Sequence, residues 1–600
     1  MGGDVVNLIV TAVSAYVTSG GSWWAVVIAV TLTFAAQKLA PKPKPPDMPS
    51  FDLVETDRKQ SFRQAITSRK IVYGEIRVGG PIIFIESSPT PADAGPTTEL
   101  ANAFLHMIVL VASHEIQSFE EFYINGTLVL PSDLNADGEP TDPDSPFYVD
   151  LSEKNSLLRI QTALGTADQP ANAQLIAESD GKWTADHKLS GIAYVYCRFK
   201  FDQDVYQGPP NFTTVIKGKK IYDPRTSTTV FSSNPALILR DYLTSDLGIG
   251  MSSTKVDDGT ITTAANICDE DVDLADGGTE DRYTANGMIS TSATPRDNIN
   301  EILSSMSGTL TYSNGLFKMF AAGTQTSTLV LDENDIIGNL TVQARLSRRD
   351  NFNSIKGTFI SPDTAWEKTD YPALSVASFI TDDNGETIYN DFHLPFTTSS
   401  PMAQRIAKIQ LYQARQPIMV SGVFKCTAFA ADMNDVIKLT HARYGWTEKE
   451  FRVIEWGFEA KGNGVSVTMT LSEYASSSYD WETTEEQAMA DAPNTNLPSP
   501  FIVSPPTNLV ASESLITTRD NSRAASLLSI TWDAALDAQV NMYECQYKLT
   551  TDTIYKMAAT QSDVTAEVLD LPAGVYDIRV RALNSLGMSS VVAAHFLHLP

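Results

Sequence analysis

Residues 133–138, Asp-Leu-Asn-Ala-Asp-Gly, carry oxygen ligands at the alternating positions of a calcium-binding loop, and Asp144 stands where a twelfth-position carboxylate would be. The set would be Asp133, Asn135, Asp137 and Asp144. Pro140 and Pro143 make a helix leaving the loop implausible, and no helical pattern enters it. A polar hairpin tip, with Asp and Gly supplying turn conformations, is therefore expected in place of a metal site. His114-Glu115 opens H-E-x-x-H, but Ser118 occupies the second histidine position, so the zinc motif fails. Gly218-Lys219 lacks the upstream glycine of a phosphate loop, since residue 213 is Thr213. No G-x-S-x-G nucleophile elbow occurs. Asp269, Glu270, Asp271, Asp273, Glu280 and Asp281 could bind a cation or do acid–base work. Within the polar stretch 253–283 they read as a solvated loop. His595 and His598 are spaced for metal but read as edge residues of a last strand. Cys197, Cys268, Cys426 and Cys545 are scattered without a C-x-x-C pair and read as buried free thiols of a reducing cytoplasm. No catalytic set, cofactor site or metal site is expected.

The elements around these residues are mostly strands. Residues 69–86 hold two apolar β-rich runs about Gly79-Gly80-Pro81, a strand, turn, strand pattern. Residues 105–112 are a fully apolar run that reads as a buried strand. Residues 121–130 read as a hairpin turning at Asn125-Gly126. Further strands fall at 157–161, 191–200, 348–360, 418–424, 452–458 and 465–472, the last two as antiparallel partners. Thr294 caps a helix from Pro295 with Ile299, Ile302, Leu303 and Met306 on one face, and a hairpin follows about Asn314-Gly315. Residues 403–415 form an amphipathic helix with Ile406, Ile409 and Leu411 apolar.

Asn234-Pro-Ala-Leu-Ile-Leu-Arg-Asp-Tyr-Leu-Thr has both helix signals at its start: a capping side chain and a proline in the first turn. Leu237, Ile238 and Leu243 share a face that Leu239 and Tyr242 widen, and Gly248 and Gly250 suit the stop. Just upstream stands Gly218-Lys-Lys-Ile-Tyr-Asp-Pro-Arg225. A "G-x-x-I/V-Y-D-P-R" turn followed by an "N-P-A-x-x-L-x-D-Y-L" helix resembles the central tail-tip, or baseplate hub, proteins of long-tailed bacteriophages, the tip attachment protein J family. The strand pair at 69–80, the run Val109-Leu-Val-Ala-Ser-His-Glu-Ile116 and the helix at 403–415 also resemble that family. Residues 505–600 resemble a fibronectin type III sandwich, with Trp532 as the buried tryptophan and Tyr576 at the tyrosine corner.

The resemblance implies a mainly β, multi-domain chain, with α+β hub domains and barrels around a tail axis. The regions expected are a first hub region at 61–235, a helix-and-hairpin region at 236–325, a second hub barrel at 326–478, a linker at 479–502 and the fibronectin domain at 503–600. It also implies a homotrimer in contact with the distal tail and tape-measure proteins, located at the virion tail tip after synthesis in the host cytoplasm. Its role would be structural, in host attachment and genome delivery, with a host receptor or membrane as a further partner. A secreted or surface glycan-acting enzyme with a fibronectin appendage, or a membrane-anchored adhesin, are the alternatives. Against the enzyme stand the missing basic signal segment and the missing catalytic carboxylate pair.

The balance is acidic, 72 Asp and Glu against 44 Lys and Arg, a formal charge of −28. Such a surface repels phosphate backbones, which argues against specific nucleic-acid binding and suits a lumen through which DNA slides. Residues 5–37 carry no charge. Residues 1–40 read as an apolar helical segment that Gly20-Gly21 divide into two helices, and its second run is roughly 15 residues, short of the roughly 20 that span a bilayer upright. Three readings are open: a plug buried among copies of itself or against a partner, a segment that meets the host membrane through Trp23, Trp24, Val27 and Val30, and a membrane anchor. Residues 41–60 begin with a stiff Pro/Lys linker.

Overall fold

The computed structural model describes residues 67–89, 103–149, 156–202, 205–206, 208–344, 351–461, 464–489, 502–517, 524–537 and 539–599. All lie in the second of two compact units, Asp57–Pro600. The apolar segment with Trp23, Trp24, Val27 and Val30, and the Pro/Lys linker after it, lie outside the described residues. The protein is mainly β and built from several sheets. Among the described residues the α-helices are α1 (Ala173–Glu178), α2 (Pro235–Thr244), α3 (Asp258–Cys268), α4 (Pro295–Ser304), α5 (Ala377–Asp382) and α6 (Ser400–Ala414).

Two antiparallel sheets share the first core. One places strand Phe212–Asp223 between Ile116–Ile124 and two short strands, Glu75–Val78 and Thr228–Phe231. The other runs Ile82–Ser88, Phe104–Ala112, Ala193–Lys200, Leu158–Ala163. Val109, Val195, Ile216 and Phe212 meet in that core. Strands form on both sides of Gly79-Gly80-Pro81 as expected, but they do not pair with each other. Lys70–Tyr73 pairs with Gly287–Ser290, Glu75–Val78 with Phe212–Asp223, and Ile82–Ser88 with Phe104–Ala112. Gly74 makes the break between the first two, at φ 65°; a Cβ there would lie 2.3 Å from the Ala285 carbonyl oxygen. One apolar run thus feeds three sheets, which local pattern alone does not reveal.

The second core is helical and crosses the expected domain boundaries. Ile71 and Tyr73 from the first strand, most of α2, α3 and α4, and the inner face of α6 all pack in it. Helix α3 corrects the expectation of a solvated loop over 253–283. Asp257 caps it, and Ile261, Ala264, Ala265 and Cys268 bury one face. Those four positions have helical spacing, but Gly259 and three threonines depress the local propensity, so packing decides. The acidic residues that follow form a short hairpin, Asp271–Asp273 with Thr279–Asp281.

Strands Leu329–Leu331, Val436–His441, Trp446–Lys461, Gly464–Glu473, Met419–Phe424 and Ile336–Gln343 make a six-stranded sheet with its own core. Its first and last strands are not paired with each other among the described residues, so it is open where a barrel is expected. Residues 479–489, expected to begin a linker, lie against the body: Tyr479 is buried and Met489 packs on the helical core. The last region packs the three-stranded sheet Thr507–Thr517, Ala524–Asp533, Thr565–Leu569 against the four-stranded sheet Lys556–Gln561, Val540–Leu549, Gly574–Asn584, Ala593–Leu599. Trp532 and Tyr576 are both buried between them. His595 and His598 lie on the final strand, at the end of its sheet.

Candidate functional site

Helix α2 is buried along almost its whole length, and the polar residues of its two sequence motifs converge around it. Asn234 stands before the first turn, in an extended conformation. Its Oδ1 accepts from the backbone N–H of Ala236 at 3.0 Å and Leu237 at 3.3 Å, satisfying donors that the helix leaves unpaired. Its Nδ2 donates to the Ala265 carbonyl at 2.9 Å and to Asp269 Oδ1 at 2.7 Å. One side chain therefore caps α2 and ties it to the end of α3.

Arg225 completes the same corner. Its guanidinium grips Asp223, with Nη2 to Oδ2 at 2.9 Å, and reaches Asp269 Oδ2 at 2.7 Å and Asn266 Oδ1 at 3.0 Å. Burial opposes the Asp223 charge, yet hydrogen bonds from the Arg225 side chain and backbone outweigh it and hold that carboxyl below its usual range. Arg225 is raised in turn, first by its bond to Asp223. Pro224 fixes the turn between the two partners.

The far side of α2 is held the same way. Arg240 makes two bonds to Asp258 at the start of α3, at 2.7 and 3.0 Å, and its guanidinium lies 4.9 Å from the Tyr222 ring. Asp241 Oδ2 accepts from Tyr73 Oη and from Lys219 Nζ, both at 2.6 Å. Burial, then the neighbouring Asp241, push the Tyr73 hydroxyl well above its ordinary value, so it stays a donor. Tyr242 Oη accepts from Asn298 Nδ2 of α4 at 2.9 Å. The helix stops at Thr244, four residues before the glycines expected to end it. Gly248 instead lets the exit turn pass close to the helix: a Cβ there would lie 2.0 Å from the Tyr242 carbonyl oxygen.

The arrangement is a joint. Each charge named has an opposite charge or a polar partner, and the bonds reach 31 positions in sequence from Asn234 to Ala265 and 168 from Asp241 to Tyr73. Nothing in it is an exposed nucleophile with an adjacent base, so its chemistry is to hold strands and helices in one geometry. The sequence singled out Tyr222, Asp223, Arg225, Asn234, Asp241 and Tyr242 as motif positions. It missed Tyr73, Lys219, Asp258, Asp269 and Asn298 as their partners. The Asp257 cap and the spacing of Ile261, Ala264, Ala265 and Cys268 were the available signals for α3.

The other residues raised by the sequence lie apart from this joint. In the loop at 133, Asn135 Oδ1 accepts from the backbone N–H groups of Asp137 and Glu139, both at 2.9 Å. The calcium motif needs that oxygen as a ligand, and here it closes a turn, bridged at Leu134 and Pro140. Asp144 makes its own turn with Asp142. Glu139, at the loop's end, joins Arg159, Arg198 and Glu178 in a half-buried ionic cluster, with Arg159 bonds of 2.8 and 2.7 Å to the two carboxylates. His114 donates from Nδ1 to the Glu115 carbonyl and accepts the Val72 N–H at Nε2, so it is a neutral structural residue. Lys219 is committed to Asp241 and Ser245. Burial, then Asp269, Asp271 and Glu280, raise the Asp281 carboxyl. Among the described residues no group of three or more His, Cys, Asp or Glu side chains is arranged to hold a metal ion. Cys197, Cys268 and Cys545 are buried thiols, whereas Cys426 is exposed. No helix among the described residues is long and apolar enough to cross a membrane.

No family model matches the chain. It is 23% identical over 483 residues to the baseplate hub protein pb3 of Escherichia phage T5, covering 71% of this chain and 49% of that protein. The chain therefore spans about half the length of this curated relative. Among solved structures, a chain from the virion of the native gene transfer agent particle superposes with a TM-score of 0.51 at 12% identity, covering 76% of this chain and 97% of that one. At that identity the match shows a shared fold. In sequence the chain resembles a phage baseplate hub protein, and in fold it is similar to a component of a gene transfer agent virion.

Proposed function

We propose that the chain is a structural hub protein at the distal end of a phage tail, working as a homotrimer around the tail axis. The observation that carries this reading is the similarity to a baseplate hub protein over 71% of the chain. The joint around α2 supports it, because a ring that must match a tube needs subunits of one fixed shape. The net charge of −28 supports an acidic lumen that lets DNA pass without binding it. On this reading the chain contacts the distal tail and tape-measure proteins, takes part in host attachment and genome delivery, and performs no catalysis of its own.

The C-terminal sandwich is proposed to be a fibronectin type III domain. Its three-plus-four strand arrangement supports this, as does the Tyr576 hydroxyl, which donates to the Pro572 carbonyl at 2.9 Å in the manner of a tyrosine corner. The apolar segment at 5–40 is proposed to bundle on the axis as part of the closure, with Gly20-Gly21 between two helices. So long an uncharged run needs cover from protein. Release would expose Trp23, Trp24, Val27 and Val30 to the host membrane.

Imaging of the intact virion tests the assembly. Three copies at the distal end of the tail, with acidic residues inward and residues 5–40 near the axis, is the expected result. A monomer or dimer in the virion, or a basic lumen, overturns it. A peptide of residues 1–46 tests the membrane step: it should partition into liposomes, and charged substitutions at Val27 and Val30 should abolish that.

A further inference from the structure

Helix α6 buries Ile406, Ile409 and Leu411 on one side, and also Gln404, Arg405 and Lys408 on another. Long polar side chains are seldom buried without partners, so what covers them matters. Residues 480–487 do so, running across that face as a strap. Lys408 Nζ donates to both Glu485 oxygens at 2.6 and 2.7 Å and to the Asp480 carbonyl at 2.8 Å. Its ammonium also lies 5.9 Å from the Trp481 ring and 5.5 Å from the Tyr412 ring. Gln404 and Gln487 form a reciprocal pair, side-chain amide to Gln487 carbonyl at 2.9 Å and Gln487 N–H to the Gln404 oxygen at 2.8 Å.

The strap has one firm end. Tyr479 is buried and accepts from Gln413 at 3.1 Å, while Gln416 donates to Ser478 at 2.7 Å. From Asp480 onward no strap residue is fully buried, and the hold is polar. A segment that buries little apolar surface opens at a low free energy, well before the core beneath it.

The strap also touches the acidic hairpin. Glu486 Oε2 accepts the Ala275 N–H at 2.9 Å. That hairpin is fixed to α6 from the other side: Glu280 Oε1 lies 2.7 Å from Arg405 Nη1, and its Oε2 accepts from Ser399 at 2.7 Å.

We propose that residues 480–487 are a latch: a strap that opens as a unit from α6 while the body stays folded, and that loosens the acidic hairpin through Glu486 when it opens. The contacts that argue for it are all within one chain, so it stands or falls apart from the virion reading.

Hydrogen exchange on the full chain tests it, comparing the native protein with Glu485→Gln and, separately, Gln404→Ala. Glu485 lies on the strap and is a third exposed, so Glu485→Gln removes no core side chain, and Gln404→Ala removes a buried amide whose bonds run to Ser400 and to Gln487 of the strap. The latch expects amide exchange across 480–487 to rise roughly tenfold in each variant, with the Ala275 amide rising in step and α6 unchanged. Two results overturn it. One is strap amides that exchange only as slowly as α6, which would make the strap part of the global core. The other is a released strap with the Ala275 amide unmoved, which would leave the hairpin uncoupled.

Discussion

Helices α2 and α6 are both buried and both carry charged side chains held by partners, yet they are covered differently. Around α2 the covering elements bring Ile71, Tyr73, Ile261 and Ile302 as well as Asp258 and Asp269, so the same elements supply both apolar packing and the partners of its charges. On the polar side of α6 the cover is the strap, which brings carboxylates, carbonyls and an amide and little buried carbon. The ion pairs are of similar length, 2.7 Å for Arg240 with Asp258 and 2.6 Å for Lys408 with Glu485. Bond length therefore does not tell a fixed joint from a releasable one; the apolar area buried with the bond does.

Breaking the joint should be the costlier act. Leu239 is fully buried in α2, and Leu239→Ala should destabilise the body by about 3 kcal/mol, through lost transfer energy and a cavity. Denaturant unfolding followed by tryptophan fluorescence measures it. A change within about 0.5 kcal/mol would mean that α2 is not the centre of the core.

Acid is a second way into the joint. His114 lies against it, accepting the Val72 N–H, and burial lowers it to about 4. His106 is likewise lowered to about 4, first by burial. Both folded values lie below the ordinary 6.5, so the unfolded chain binds more protons in between. Their contribution is present in full above pH 6.5 and is lost as pH falls through 4, up to about 3 kcal/mol for each. Stability measured from pH 7 to pH 4 should fall accordingly, and His114→Gln should flatten its share of the slope. An unchanged slope would place His114 outside the titration.

Arg225→Ala removes the partner of Asp223 and Asp269 without opening an apolar cavity, so about 1–3 kcal/mol is expected, from a carboxylate left poorly paired. Asn234→Ala should cost about 1–2 kcal/mol through the lost cap. Measured together, the two should be less than additive, because both act on Asp269. Full additivity would separate the cap from the turn.

The smallest effect belongs to the strap. Lys408→Gln should change the body's unfolding free energy by no more than surface substitutions do, about 0.5 kcal/mol, while making the bonds after Tyr479 open to proteolysis. A loss as large as that of Leu239→Ala would erase the difference between the two helices.

Much of the local structure was legible in the residues. Asn234 and Thr294 mark helix starts with a capping side chain followed by proline, and α2 and α4 begin where those signals stand. Helix α6, read from its apolar spacing over 403–415, starts slightly earlier, after Ser399 with Pro401 in its first turn. The hairpin at Asn314-Gly315 and the antiparallel pair of Trp446–Lys461 with Gly464–Glu473 follow alternation and turn chemistry. These signals act over a few residues, and so the chain carries them openly.

What the sequence determined by itself, then, is where helices and strands begin, which faces are apolar, which two motifs matter and how acidic the whole is. Partnership was decided only in three dimensions. Nothing near Tyr73 in the chain announces Asp241, and nothing near Asn234 announces Asp269. The run at 69–88 supplies strands to three different sheets because each of its short pieces is satisfied by whichever edge the packed core presents. Helix α3 exists because burying Ile261 and Cys268 against α2 outweighs the poor helix propensity of its glycine and threonines. The strap looked like linker since its composition is polar, and it stays on the body because Lys408 and Gln404 offer partners no local reading can see. Propensity and capping are short-range and belong to the sequence; burial and charge pairing need a second surface, which only the folded chain supplies.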